Sequence, residues 1–293
     1  MLFRSGGQTL RMPQAAGPAA ARNRGAAAAL GEVVLFIDSD ICVRPDTVLQ
    51  VQRFMAAHPD TAAVFGSYDD APTHPGFPSQ FKNLSHHFVH QRGRHDASTF
   101  WAGCGAVRRD TFLALGGFDE RYERPSIEDI EFGYRLREAG HRIALCRELQ
   151  VRHLKHWTLA GLLRSDLFDR GVPWVRLALR TPAGFVGDLN LAWRQRLCVV
   201  LAWVAVLCFA LAPWRPVLAL AGVAACTGVI IMNVAFFAWL TRARGPAFAL
   251  GAMPLHLLYH ASNGLAVLLG FAAHVLRPQP AERLVRSGSA DAR

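Results

Sequence analysis

The chain has 293 residues, enough for one large domain or two small ones, and its 52% apolar content is too unevenly spread for a uniformly soluble protein. The net charge of +10 does not point to nucleic acid, because the arginines gather from 142 to 196, ahead of an apolar region, and again in "TRARG", a positive-inside pattern. Six cysteines with no C-x-x-C spacing, three of them in or beside apolar runs, argue against a disulfide framework or a zinc site and fit a reducing cytosol.

Residues 1–31 contain several arginines and no acid, so they imitate an organellar transit peptide. The same stretch also has a structural reading. "QTLRMP" looks like a strand, and "GPAAARNRGAAAALGE" places Pro18 at a helix start, alanines through its body and Gly31 at its stop. The next run, Val33, Val34, Leu35, Phe36 and Ile37, reads as a strand buried on both faces of a parallel α/β sheet. It ends on Asp38 and Asp40. Ligands bind at the carboxyl rim of such sheets, and alternate residues of an extended chain point the same way. Both carboxylates could therefore face one Mg²⁺ or Mn²⁺ carrying a substrate phosphate. A simple turn explains Asp-Ser-Asp as well.

Further on, "NLSHHFVHQRGR" offers His86 and His90 at the i, i+4 spacing by which two imidazoles share a metal. No acidic ligand follows, so a polar helix face or acceptor-phosphate contacts are the better reading. Gly103, Gly105, Gly116 and Gly117 shape loops rather than cradle phosphate, since no strand-to-helix G-x-G-x-x-G is present. In "GGFDERYERPSIEDIEFGYRLREAGHRI" a helix begins near Glu128 and Asp129, with Ser126 as N-cap and Gly140 as stop. Asp129 can be a cap or a general base. A helix start lowers a carboxyl pKa, whereas a base benefits from one moved towards neutrality, so the second role needs an opposing push from its surroundings. His153 closes an alternating apolar segment in "QVRHLKHW".

The segment "TLAGLLRSDLFDRGVPWVRLALR" sets Leu159, Leu162, Leu163, Leu167 and Phe168 against Arg164, Asp166, Asp169 and Arg170. That is an amphipathic helix at a bilayer surface, with Trp174 at headgroup depth. Three candidate spans follow. The first, 197–212, is short and precedes the "PWRP" turn. The second, 217–240, exceeds the roughly 20 apolar residues a crossing needs. The third, 247–276, contains Pro254, His256, His260 and Asn263 and is either a kinked helix or a re-entrant hairpin. The spans hold no acidic residue for ion coupling, which disfavours a transporter. The tail is basic, with Arg277, Arg283, Arg286 and Arg293.

Taken in order, "GPAAARNRGAAAALGEVVLFIDSD", "FWAGCGAVRRDTFLALGGFDERY", "IEDIEFGYRLREAGHRI" and "VRHLKHWT" resemble the family-two glycosyltransferases of GT-A fold over residues 8–156. The resemblance implies a Rossmann-like α/β nucleotide-sugar transferase domain over 1–156. An interfacial segment (157–196), transmembrane helices (197–276) and a flexible basic tail (277–293) would follow it. It implies that Asp38, with Arg22 and Asn23, meets the donor nucleotide, and that Asp40, Asp38 and His153 hold the Mg²⁺ or Mn²⁺ bridging the donor diphosphate. Asp129, with Glu128 beside it, would stand where the family places its base, and a single displacement would invert the anomeric centre. Gly103, Asp119, His86, His90, Arg170 and Trp174 would fall towards the acceptor. The implied partners are a nucleotide-sugar donor, a lipid-linked or saccharide acceptor and membrane lipid, not nucleic acid. The implied site is a bacterial inner membrane, with the catalytic domain in the cytoplasm. Arg170 and Trp174, separated by "GVP", only loosely resemble the Q-x-x-R-W element of processive synthases. The family's base-binding strands should lie before Gln8, so the expectation is an amino-terminally truncated domain that folds poorly or lacks activity. An inactive fragment or a membrane-anchored binding protein is the alternative.

Overall fold

The computed structural model describes residues 8–12, 16–181 and 192–276. Helix α1, Gly17–Ala28, starts as its sequence implies, with proline in the first turn and alanines through the body. Gly17 has φ +77°, and a Cβ there would lie 2.3 Å from the Glu123 carbonyl oxygen, so only glycine lets the helix begin against that loop. The helix ends at Ala29, which turns extended two residues before the expected Gly31. Residues 8–12 of the "QTLRMP" stretch are not in a strand, and Pro13 lies outside the described residues.

Strand β1, Val33–Ile37, is at the edge of a five-stranded mixed sheet with β2 (Ile41–Cys42), β3 (Thr61–Tyr68), β4 (Cys104–Arg108) and β5 (Arg142–His153), in the order β1-β4-β3-β5-β2. The expected all-parallel sheet is not formed. β1 and β3 both run antiparallel to β4, and only the β3–β5 pair is parallel. The apolar run in β1 correctly reported two covered faces: Val34 and Phe36 enter one core cluster, while Val33 and Leu35 pack against another. Coverage says nothing about strand direction, because either ladder can be sandwiched.

On one face, Phe36 meets Phe112 of α4 (Arg109–Ala114), Phe118 and, through them, Phe132 of α5 (Glu128–Glu138), with edge or tilted ring pairs at 5.0–5.2 Å. Such pairs add stability beyond their area, and they fix α5 relative to the end of β1. On the other face, α2 (Thr47–Ala57) supplies Val51 and Met55. α5 stops at Ala139, followed by Gly140 at φ +82°, as expected. Its cap is Ile127 rather than Ser126, whose hydroxyl instead donates to the Asp169 carbonyl at 2.5 Å.

Helix α3, Phe77–Arg92, separates the sheet from the carboxyl-terminal helices. Its Phe81 and Leu84 pack with Trp157, Leu162, Phe236, Phe237 and Leu240. The amphipathic segment is helical over 159–178 as α6 (Leu159–Arg164), a π-helical stretch Ser165–Gly171 and α7 (Val172–Ala178). Its faces are not disposed as expected: Leu162 and Asp166 are buried whereas Leu159 and Phe168 are exposed, so part of the polar stripe turns into the protein. Residues 182–191 of the 157–196 segment lie outside the described residues.

Of the helices α8 (Trp193–Leu211), α9 (Val217–Met232), α10 (Val234–Arg244) and α11 (Pro246–Leu276), α8 and α11 are long and apolar enough to cross a membrane. The single span expected over 217–240 is broken: α9 and α10 meet at 68°. Asn233 sits at the break, donating to the Val229 carbonyl and to Cys198 Sγ, a side chain competing with the helix's own hydrogen bonds. α11 runs unbroken through Pro254, so the hairpin alternative is not formed. The basic tail lies outside the described residues.

Phe132→Ala should lower stability by about 3–5 kcal/mol, the usual loss for a fully buried phenylalanine, with Phe132→Leu losing less. Denaturant unfolding followed by tryptophan fluorescence would measure it, and an unchanged midpoint would contradict the aromatic cluster's role in fixing α5.

Candidate functional site

The chain leaves β1 through a tight turn that carries Asp38 and Asp40, as the turn reading of Asp-Ser-Asp has it. Asp38 N–H donates to the Gly103 carbonyl (3.1 Å), Ile41 N–H to the Asp38 carbonyl (3.1 Å) and Leu154 N–H to the Asp40 carbonyl (2.8 Å). Within this turn the two carboxylates take different partners. Asp38 accepts from Arg22 at 2.5 Å, and Asp40 faces His153 Nε2 at 3.5 Å.

Arg22 connects the acidic clusters. One end of its guanidinium bonds Asp38, and the other bonds Glu128 Oε1 at 2.7 Å, across 106 residues of chain. Glu128 is 4% exposed and its second oxygen accepts from Ser126 N–H at 2.9 Å. Its neighbour Asp129 has no such cation. Asp129 accepts from Ala102 N–H (3.1 Å) and Ile130 N–H (2.9 Å), while burial, reinforced by the negative charge of Glu128, pushes its carboxyl up to about 6. That is the opposing push a base at a helix start requires. The loop before β4 makes a second tie, since Ala102 N–H reaches Asp129 and the next residue's carbonyl accepts from Asp38. A Cβ on Gly103 would lie 2.4 Å from the Trp101 ring, so this close passage requires glycine.

His153 is buried beneath Asp40. Its Nδ1 is 2.6 Å from Asn83 Oδ1 and its ring stacks on Tyr68 at 4.3 Å. With Asn83 as acceptor, Nδ1 carries the hydrogen and Nε2 faces Asp40, offering a proton when charged or a lone pair when neutral. The His153 imidazole holds the Asp40 carboxyl below the usual range. Among the described residues, no three His, Cys, Asp or Glu side chains are grouped to hold a metal ion. Asp40 and His153 supply two donors, which suits a Mg²⁺ or Mn²⁺ that takes its remaining ligands from water and substrate phosphate.

The other expected residues scatter. Asn23 spends its amide on Phe118 N–H and C=O, each at 2.8 Å, and on Glu120, so it clamps a loop. Asp119 in that loop pairs with Arg121 at 2.7 Å. His86 and His90 lie on the inner face of α3 near Tyr68 and Trp101, not on a polar face. Burial holds both below the ordinary histidine range, His90 at about 4. Arg170 and Trp174 line a separate cavity with His86. Sequence reasoning missed Asn83, Tyr68 and the ion pair of Lys82 with Asp166, both under 9% exposed. A lone lysine among the apolar positions of α3 was the available signal.

The glycosyl transferase family 2 model matches residues 4–116, and a model described as the N-terminal domain of galactosyltransferase matches 82–157. The O-antigen biosynthesis protein RfbC of Myxococcus xanthus is 26% identical over 179 residues, covering 56% of this chain and 14% of its own length. The O-antigen chain rhamnosyltransferase WbaN of Salmonella anatum is 38% identical over 76 residues, covering 24% of this chain and 23% of its own. The chain thus spans under a quarter of the length of either relative. Among solved structures, the mannosyltransferase PcManGT from Pyrobaculum calidifontis, in complex with GDP-Man and Mn²⁺, aligns with a TM-score of 0.47 and 17% identity, over 88% of this chain and 68% of that one. Arg22, Asp38 and Asp40 fall inside one matched region and Asp129 and His153 inside the other, so the mixed α/β part of the chain is similar to these two glycosyltransferase models.

Proposed function

We propose that the chain transfers a sugar, with inversion, from a nucleotide-sugar donor to a lipid-linked or saccharide acceptor at a bacterial inner membrane, its α/β domain in the cytoplasm. The observation that supports this reading is the Arg22 bridge, one guanidinium bonded to Asp38 at the end of β1 and to Glu128 beside Asp129. Asp40 and His153 would hold Mg²⁺ or Mn²⁺, which when bound supplies Lewis-acid neutralisation of the leaving diphosphate. Asp38 and Arg22 face the nucleotide side. Asp129 takes the acceptor hydroxyl's proton, its carboxylate oriented by Ala102 N–H, and Glu128 remains tied to Arg22. One base and no separate nucleophile imply a single displacement, hence inversion. The names of the O-antigen relatives and the two membrane-length helices support a saccharide acceptor carried at a membrane.

The test is transfer or hydrolysis with a panel of nucleotide sugars plus Mg²⁺ or Mn²⁺. Asp40→Asn and Asp129→Asn should each reduce turnover by about a hundredfold or more, with melting temperature nearly unchanged; wild-type rates in either would refute the assignment.

The pH profile gives an independent check. Asp129 must be ionised to act, so turnover should rise with pH through about 6. Arg22→Gln removes a cation that pulls Asp129 down and leaves Glu128 unpaired, so the acid limb should move to higher pH. Stability has the opposite sign. The folded pKa of Asp129 lies above its unfolded value, so this group's contribution is fully present below the unfolded pKa and is lost as pH rises through about 6. Asp129→Asn should therefore flatten the decline in stability between about pH 4 and 6, measured by unfolding at both pH values.

A further inference from the structure

Strands β1, β3 and β5 run in one direction, because β1 and β3 are both antiparallel to β4 and β3 is parallel to β5. Their carboxyl ends therefore share one rim, where β4 begins. Asp38 follows β1, His153 ends β5, and the loop carrying Ala102 and Gly103 leads into β4. The residue that ends β3, the central strand of the sheet, is Tyr68.

The Tyr68 ring is fixed on three sides. It lies flat on His153, with centroids 4.3 Å apart and planes 11° apart, stacks on His86 at 5.8 Å and meets Trp101 edge-on at 4.7 Å. The residue is only 5% exposed. A tyrosine hydroxyl so placed usually finds a partner, yet this one makes no hydrogen bond among the described residues and is not sealed off from the surface. The charges that act on it are those of Arg170, Asp38, Asp40 and Asp129. It therefore stands among both acidic clusters without bonding to either. Asp38 is already engaged by Arg22, and Asp129 by backbone N–H groups. Phenylalanine would pack as well at this place, so the hydroxyl is a donor left for an oxygen that the protein does not supply.

We propose that the Tyr68 hydroxyl donates a hydrogen bond to the leaving diphosphate of the sugar donor, at an oxygen beside Asp40 and His153. This rests on the transferase reading and adds a neutral donor to it. In the transfer, the bond from the anomeric carbon to the diphosphate oxygen breaks and its electron pair stays on that oxygen. The acceptor oxygen bonds the carbon and gives its proton to Asp129. Negative charge thus grows on the diphosphate, and a hydrogen bond to it strengthens as the old bond breaks. The diphosphate is favoured over the acceptor because the ring rests on His153, which faces Asp40.

The test compares wild type with Tyr68→Phe, each as the full chain in uncharged maltoside micelles. Calorimetry follows inorganic pyrophosphate binding in the presence of Mn²⁺, and electron paramagnetic resonance follows Mn²⁺ alone. Because the variant keeps the ring, its melting temperature and Mn²⁺ affinity should match wild type, while pyrophosphate binding weakens about tenfold or more. In transfer assays kcat should fall by a similar factor, with the donor KM within about threefold of wild type. Unchanged pyrophosphate affinity or unchanged kcat in Tyr68→Phe would overturn the proposal and leave the transferase reading standing. A lower Mn²⁺ affinity or melting temperature in that variant would make the hydroxyl structural and overturn it equally. A wild-type chain that binds no pyrophosphate with Mn²⁺ and transfers no sugar would overturn the transferase reading, and the proposal with it.

Discussion

One guanidinium holds the site together. Arg22, on the first helix, bonds the carboxylate that follows β1 and the carboxylate that begins α5, so two consecutive elements and one 106 residues further along the chain meet at one charge. Glu128 has 5% of its side chain exposed, and a charge so buried is tolerable only when paired and hydrogen-bonded, as it is here by Arg22 and Ser126 N–H. Breaking such a pair costs on the order of 3–5 kcal/mol, because the remaining ion stays buried without compensation. The arrangement also divides labour between adjacent carboxylates. Glu128 bonds the cation directly and is fixed; Asp129 is hydrogen-bonded only by backbone N–H groups, feels Arg170 and Arg22 at longer range, and has its carboxyl pushed up by burial and by the charge of its neighbour. Environment, not residue type, sets the two roles.

Helix α3 transmits this arrangement to the helices below. Towards the sheet it presents Asn83 to His153 and His87 to the Tyr68 carbonyl, at 2.6 and 2.7 Å. Towards the carboxyl-terminal helices it presents Phe81 and Leu84, with Lys82 reaching Asp166. The stack of His153, Tyr68 and His86 runs between these two sides with nearly parallel rings. A change in the packing of α3 against the carboxyl-terminal helices therefore has a short path to Asp40, through Asn83 and His153.

Features governed by local rules were legible in the sequence. The apolar run of β1, the acidic turn after it, Gly140 as the stop of α5 and the apolar segments after residue 196 all follow from short-range pattern and composition. What was not legible depended on partners far along the chain. β1 carries no mark of its antiparallel neighbour, and nothing near Arg22 says that it will meet Glu128. The inward turn of Asp166 was hidden because an amphipathic stripe reads the same whether its polar side meets water or a buried lysine. Asn233 was passed over within an apolar run, yet an amide that can bond the preceding turn and a neighbouring helix is a physical reason for a break.

The raised pKa of Asp129 and its placement share one cause, the close approach of α5 to the loop before β4. Gly133, in the middle of α5, marks that approach: a Cβ there would lie 2.4 Å from Phe100 N and 2.8 Å from the Thr99 carbonyl carbon. Glycine inside a helix disfavours it by about 1 kcal/mol relative to alanine, a penalty with no local return. The return is tertiary. With no side chain at 133, α5 settles against residues 99–102, Phe132 joins the aromatic cluster and Asp129 comes within hydrogen-bond reach of Ala102 N–H. The same contact removes water from the carboxyl group and drives its pKa towards neutrality. Since desolvation is its largest contribution, the basicity of Asp129 is mainly a consequence of backbone packing rather than of any charged neighbour. A glycine that weakens the helix thereby makes the helix's first turn chemically useful.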